Sequence, residues 1–232
     1  MTTATSTTST TPRVPVEGLI RAGIVILPIG GALKLLGNLG TFNSVGYGIP
    51  QATEAATVTG PGFVVGELVG SVAPVLLTPF AVFALFAYLL PHGHRRTLTA
   101  ALICALLGAG IILPGLGVIT FAIPALGRAY QGGQPGAMSI ADSFFTWPGG
   151  AMLYPAVLVP IGMVLFAVVI WRSRALPRPA GVFYAASTVL FAVPVPLHSV
   201  RLAGGVLGLA AGGWIAAAVW HELRANPTHS AS

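Results

Sequence analysis

Residues 63–90 read FVVGELVGSVAPVLLTPFAVFALFAYLL, an apolar run interrupted by a single charge, Glu67. A helix needs roughly 17–25 apolar residues to cross a bilayer, and this run is long enough. In lipid every backbone donor and acceptor must be satisfied within the span, so helix is the conformation expected of it. Glu67 stands between Gly66 and Gly70, a spacing that lets a neighbouring helix approach closely at that carboxylate.

The rest of the chain fits the same solvent. Charged residues make up only 7%, hydrophobic residues 55%, and the mean hydropathy is +0.86. A soluble domain carries about 25% charge, so a water-facing globule is excluded. The net charge of +6 comes from arginines gathered in short connections. In such a chain they read as topology determinants, with no nucleic-acid partner implied. Arginine far exceeds lysine and alanine and glycine abound, a usage that suggests a bacterial genome rich in GC. Cys104, the one cysteine, lies within an apolar run and reads as a packing residue, without an intrachain partner for a disulfide.

Six spans are expected, at about residues 22–39, 63–90, 98–126, 151–171, 180–195 and 202–220. They form one all-α transmembrane domain over residues 18–222. A polar, low-complexity N-terminal tail (residues 1–17) is expected to be disordered, and residues 223–232 form a polar C-terminal tail. Between the first two spans, residues 40–62 show no spanning pattern. Residues 127–148 form a second long connection, in which IADSFFTW reads as a short interfacial helix. Pro114-Gly115 is expected to bend the third span. Pro28, Pro74, Pro79, Pro155 and Pro160 leave most of the others open to bending.

Orientation follows from the basic residues. With the N-terminus inside, Arg13, Arg21, Arg95, Arg96, Arg172, Arg174, Arg178 and Arg224 fall on the cytoplasmic side. Lys34, Arg128 and Arg201 fall toward the outer side. The excess predicts both termini in the cytoplasm and both long connections outside. The link from Val195 to Arg201 is the weakest part of this topology, because Pro194 and Pro196 interrupt it and a re-entrant segment is an alternative.

Several side chains are candidates for chemistry. Glu67 and Lys34 each come about one turn inside the outer end of their spans, so antiparallel neighbours bring them to similar depth. A charge at mid-membrane costs about 2.5–3.5 kcal/mol, and pairing offsets part of that. The functional alternative is an ion or proton site opening outward, joined by Arg201 and His198. Either remains open, as does separate reach to interfacial water. His92 and His94, with His221 and Glu222 on the same side, offer metal-ligand types without a third ligand fixed by spacing, and solvated histidines are the simpler reading. No metal or cofactor is expected. Trp147, Tyr154, Trp171 and Trp220 fall near span ends, where interfacial anchoring accounts for them. Gly204, Gly208 and Gly212 recur every fourth residue, with Gly205 and Gly213 beside them, as a stripe for helix packing. The stripe could serve a neighbour in the same chain or a second copy. Asp142 and Glu54 are the only acids in the outer connections, and no nucleophile elbow, P-loop or zinc-helix motif occurs.

The stretch DSFFTWPGGAMLYPAVLVPIGMVLFAVVIWRSRALPRPAGVFYAAS, and within it WRSRALPRPAG, resembles bacterial six-helix integral membrane families of no assigned reaction. The resemblance implies a bacterial inner-membrane protein and carries over no catalytic residue. The expectation from the sequence is a non-enzymatic scaffold or accessory subunit in the lipid bilayer, with a membrane-protein partner or a second copy. The alternative is a small permease or ion-coupled transporter with a charged site near the outer face.

Overall fold

The computed structural model describes residues 16–39, 50–144, 157–192 and 198–225, and among them every regular element is helical. Residues 1–15 and 226–232 of the expected tails, the Pro194 and Pro196 link, Trp147, Tyr154 and Pro155 lie outside the described residues, as does the side chain of His198, whereas residues 16–17 and 223–225, expected in the tails, are helical. Four stretches are long and apolar enough to cross a membrane: Val16–Asn38, Pro61–His92, Arg95–Gln131 and Ser199–Ala225. Leu158–Ser173 is apolar but shorter.

The first rod comprises α1 (Val16–Ile24) and α2 (Ile26–Asn38), joined at Val25. Pro28 explains the joint, since it has no N–H to return to the turn that contains Ile24. The second rod joins α4 (Pro61–Glu67) to α5 (Ala73–Leu89), and the third joins α6 (Arg95–Gly117) to α7 (Ile123–Gln131). Three further helices follow: α9 (Leu158–Ser173), α10 (Arg178–Ala192) and α11 (His198–Ala225). Each packs against the next in sequence, and α11 closes against α2, so the helices form an up-and-down ring.

Two rods contain a turn of π-helix, at Leu68–Val72 and Val118–Ala122, where the N–H of Ala73 reaches Leu68 and that of Ile123 reaches Val118. The cause lies one residue further on. Pro74 and Pro124 lack a donor, and in an α-helix their rings would press on the carbonyls of Gly70 and Thr120. A widened turn relieves that crowding. The bend expected at Pro114-Gly115 is thus not where the hydrogen-bond ladder changes: Pro114 lies inside α6, and the wide turn comes after it.

The connections hold more helix than their composition suggests. Residues 51–59 form α3 (Gln51–Thr59), too short to span, inside the connection expected to lack a spanning pattern. The third rod runs on to Gln131, and α8 (Ala137–Ser143) takes in the IADS expected to be helical. α3, α7 and α8 enclose a small core of their own, with Val58, Phe63, Ile123 and Met138 fully buried. It caps the end of the ring at which Glu67 lies.

The main core fills the opposite half. Ile24, Leu85, Leu89, Leu98, Phe166, Ile170 and Ile215 are buried there as one apolar plug drawn from five of the helical segments. At its rim, the Tyr88 hydroxyl donates to the Glu222 carboxylate, Arg21 donates to the carbonyl of Leu223 at 2.9 Å, and Trp220 donates to the carbonyl of Arg21 at 3.4 Å. These bonds tie the first and second rods to the end of α11. This end also carries Arg95, Arg96, Arg172, Arg174 and Arg178.

Candidate functional site: the polar half of the ring

Glycine positions the site. A Cβ on Gly37 would enter the backbone of Gly70, and it would stand 2.9 Å from the carbonyl oxygen of Gly66. The small residues flanking Glu67 therefore let the first rod press against the second at the level of the carboxylate. The stripe on α11 meets neighbours within the chain. Gly205 and Gly212 face the backbone of α2 at Leu35 and at Leu27-Pro28. Gly204 faces Phe191 and the Ser187 carbonyl of α10, and Gly208 faces the Ser187 side chain. Gly213 has nothing within 4 Å.

Glu67 is 8% exposed and hydrogen-bonded to Ser71, one turn on and inside the wide turn. Arg201, at the start of α11, lies close enough for its charge to act on this carboxylate. The two do not touch: among the described residues the one ion pair is Arg21 with Glu17, at 3.8 Å. Lys34 is half-buried and its ammonium lies 4.9 Å from the centre of the Phe191 ring. The sequence reading places Lys34 and Glu67 at similar depth, but the Gly37–Gly70 contact sets them apart. In antiparallel rods Lys34 falls about one turn from that contact toward the arginine-rich end, and Glu67 about one turn from it toward the cap. Lys34 turns toward α10 and makes a cation–π contact where an ion pair with Glu67 was the alternative.

One residue of this site carries no signal in the sequence. Thr120 lies in the middle of an apolar run, is 0% exposed, and its hydroxyl has no hydrogen-bond partner. It belongs to the wide turn of the third rod, which touches α4, while the wide turn of the second rod touches α6. Phe63 and Ile123 share the cap core. Glu67 is one turn below Phe63, and Thr120 one turn below Ile123, so both descend from the same contact. A threonine in an α-helix ordinarily bonds the carbonyl four residues back, as Thr78 does with Pro74 at 2.8 Å.

Among the described residues, the polar residues buried as a whole lie in this half and its cap. Asn38, Glu67, Thr120, Ser187 and Thr188 are buried near its end of the ring, and Glu54 is buried in the cap. Asn38 donates to the Lys34 carbonyl at 2.7 Å, while Ser187 and Thr188 return to carbonyls on their own helix. The opposite half buries large apolar side chains, and its buried polar atoms lie at the arginine-rich rim: the Tyr88 hydroxyl on Glu222, Glu17 Oε1 and Arg21 Nε.

The remaining candidates are placed elsewhere. His92 Nδ1 lies 3.1 Å from the Tyr88 carbonyl, to which it donates in the Nδ1–H tautomer, His94 begins α6 in a left-handed conformation, and Glu222 is taken by Tyr88. Among the described residues no three histidine, cysteine or acidic side chains gather as a metal site. Trp171 and Trp220 lie at the arginine-rich end, each beneath an arginine, Arg178 and Arg224. No protein-family model, curated protein or solved structure matches the chain. The likeness of the WRSRALPRPAG turn to six-helix membrane families therefore rests on those residues alone.

Proposed function

We propose that the chain is a six-span bacterial inner-membrane protein that binds and passes a small cation, proton or monovalent metal ion, at Glu67. Both termini lie in the cytoplasm in this reading, with the cap of α3, α7 and α8 outside. One observation carries the proposal: buried polar side chains collect in the half of the ring that holds Glu67, and an apolar plug closes the other half. Isolated carboxylates in a membrane are costly, and those retained there mark ion or proton pathways. The oxygens of Glu67, Ser71 and Thr120 are hard donors, which suit protons and alkali ions rather than soft metals. Arg201 keeps the site from accumulating net negative charge.

Proteoliposomes loaded with a pH-sensitive or a sodium-sensitive dye test this under imposed proton and sodium gradients. Wild type is expected to dissipate at least one gradient faster than protein-free vesicles, and Glu67→Gln to return the rate to theirs. Equal rates for wild type, variant and empty vesicles would overturn the proposal.

A scaffold or accessory subunit is the second reading. It is favoured by the backbone contacts at Gly31, Gly37 and Gly212, which leave the first rod little room to shift. Recovery of one membrane protein in fixed proportion with the chain, together with absent flux, would select it.

A further inference from the structure

An open groove of about 550 Å³ runs between α9 and α10 on the outside of the ring. Its walls are apolar, with Val164 and Val168 on one helix and Val182 and Val189 on the other, and Trp171 stands at one end. Val164, Val182 and Val189 are each at least 40% exposed. From Val164 to Trp171 is seven residues of helix, about 10 Å at 1.5 Å per residue. The hydrocarbon of one leaflet is about 15 Å deep, so the groove matches most of one acyl chain.

The Trp171 end opens on arginine. Arg172 and Arg174 are exposed, and Arg178 stacks on the Trp171 ring at 5.3 Å while its Nε donates to the Trp171 carbonyl at 3.1 Å. That bond uses one edge of the guanidinium and leaves its remaining donors for an anion. The residues from Trp171 to Ala180 include no acid, and none of these arginines is in an ion pair among the described residues. Arg174 is also held at φ 58°, a left-handed position that ends α9 with its N–H on the Ile170 carbonyl. Glycine is the residue that suits such a cap. Arginine there costs the fold something.

We propose that this groove holds one acyl chain of an anionic glycerophospholipid, with the lipid phosphate among Arg172, Arg174 and Arg178. The apolar walls select a chain, and the arginine mouth selects a negative headgroup over a zwitterionic one. Basic pockets between spanning helices on the positively charged side bind such headgroups.

Full-length protein in phosphatidylcholine nanodiscs, with and without phosphatidylglycerol, tests this by native mass spectrometry of retained lipid. Wild type is expected to retain phosphatidylglycerol in preference to phosphatidylcholine. Arg174→Gly is expected to lower that preference about fivefold, the effect of one basic residue near the surface. The same variant relieves the backbone, so its unfolding midpoint in pure phosphatidylcholine should be unchanged or higher. Arg178→Gln should act in the same direction on preference, and Val189→Phe should reduce retention of both lipids by filling the groove. Equal retention of the two lipids by wild type would overturn the proposal. So would full retention by Val189→Phe, or displacement of the lipid by glycerol phosphate alone, which would mean a free-anion site.

Discussion

Thr120 is the residue at which structure adds most to the sequence. A buried hydroxyl without a partner costs about 1–3 kcal/mol, and threonine at this position is fully buried. Valine has nearly the same shape and no hydroxyl. Thr120→Val is therefore expected to raise stability by about 1 kcal/mol in detergent without added cation, read by chemical or thermal unfolding. The same substitution should slow any flux that depends on Glu67. A loss of stability would mean that the hydroxyl is already satisfied in the folded protein. Glu67 differs in that it has Ser71 as a partner and Arg201 within electrostatic reach, so its retention is less costly than an isolated carboxylate would be.

At the scale of elements, the glycine contacts decide how the ring closes. Gly212 places its missing Cβ 2.8 Å from the carbonyl carbon of Leu27 and the nitrogen of Pro28, both of them backbone atoms with no rotamer to yield. Gly212→Ala should cost about 1–3 kcal/mol, the usual price of overpacking. Gly110, on the same class of helix but with nothing within 4 Å, is the control. Gly110→Ala should be neutral or stabilising by about 0.5–1 kcal/mol, because alanine favours helix. Unfolding midpoints of the two variants check the contrast. The four long apolar helices and the close-packed glycine stripe from Gly204 to Gly212 were legible in the sequence, since apolar length and glycine spacing are local properties. The partner of Lys34 was not. In lipid the outward face of a helix is as apolar as the packed face, so the sequence does not fix rotation about the helix axis, and Lys34 meets Phe191 rather than Glu67. The wide turns were hidden for a different reason. Proline marks a place where the ladder must change, but Pro74 and Pro124 widen the turn behind them while Pro114 lies within an α-helix. Thr120 went unnoticed because a single threonine in an apolar run is ordinary until its burial and lack of a partner are known.

For the molecule as a whole, the ring is asymmetric along its axis. One half packs large apolar side chains and ends in arginines; the other packs glycine, serine, threonine, asparagine and glutamate beneath a helical cap. A uniform bundle would need no such division, because large apolar residues could fill both halves. In the proposed reading, the apolar plug closes the arginine-rich side and the polar side chains beneath the cap hold the cation. The centre of the proposed site is one carboxyl group, and that group can be addressed chemically. A membrane-permeant carbodiimide reacts with protonated carboxyls in apolar surroundings, and peptide mapping locates the adduct. On purified protein in lipid, the account predicts a principal adduct at Glu67 that diminishes when pH is raised or a bound cation is supplied. A Glu67 that stays unmodified at every pH, or is modified with no response to protons or cations, would contradict it.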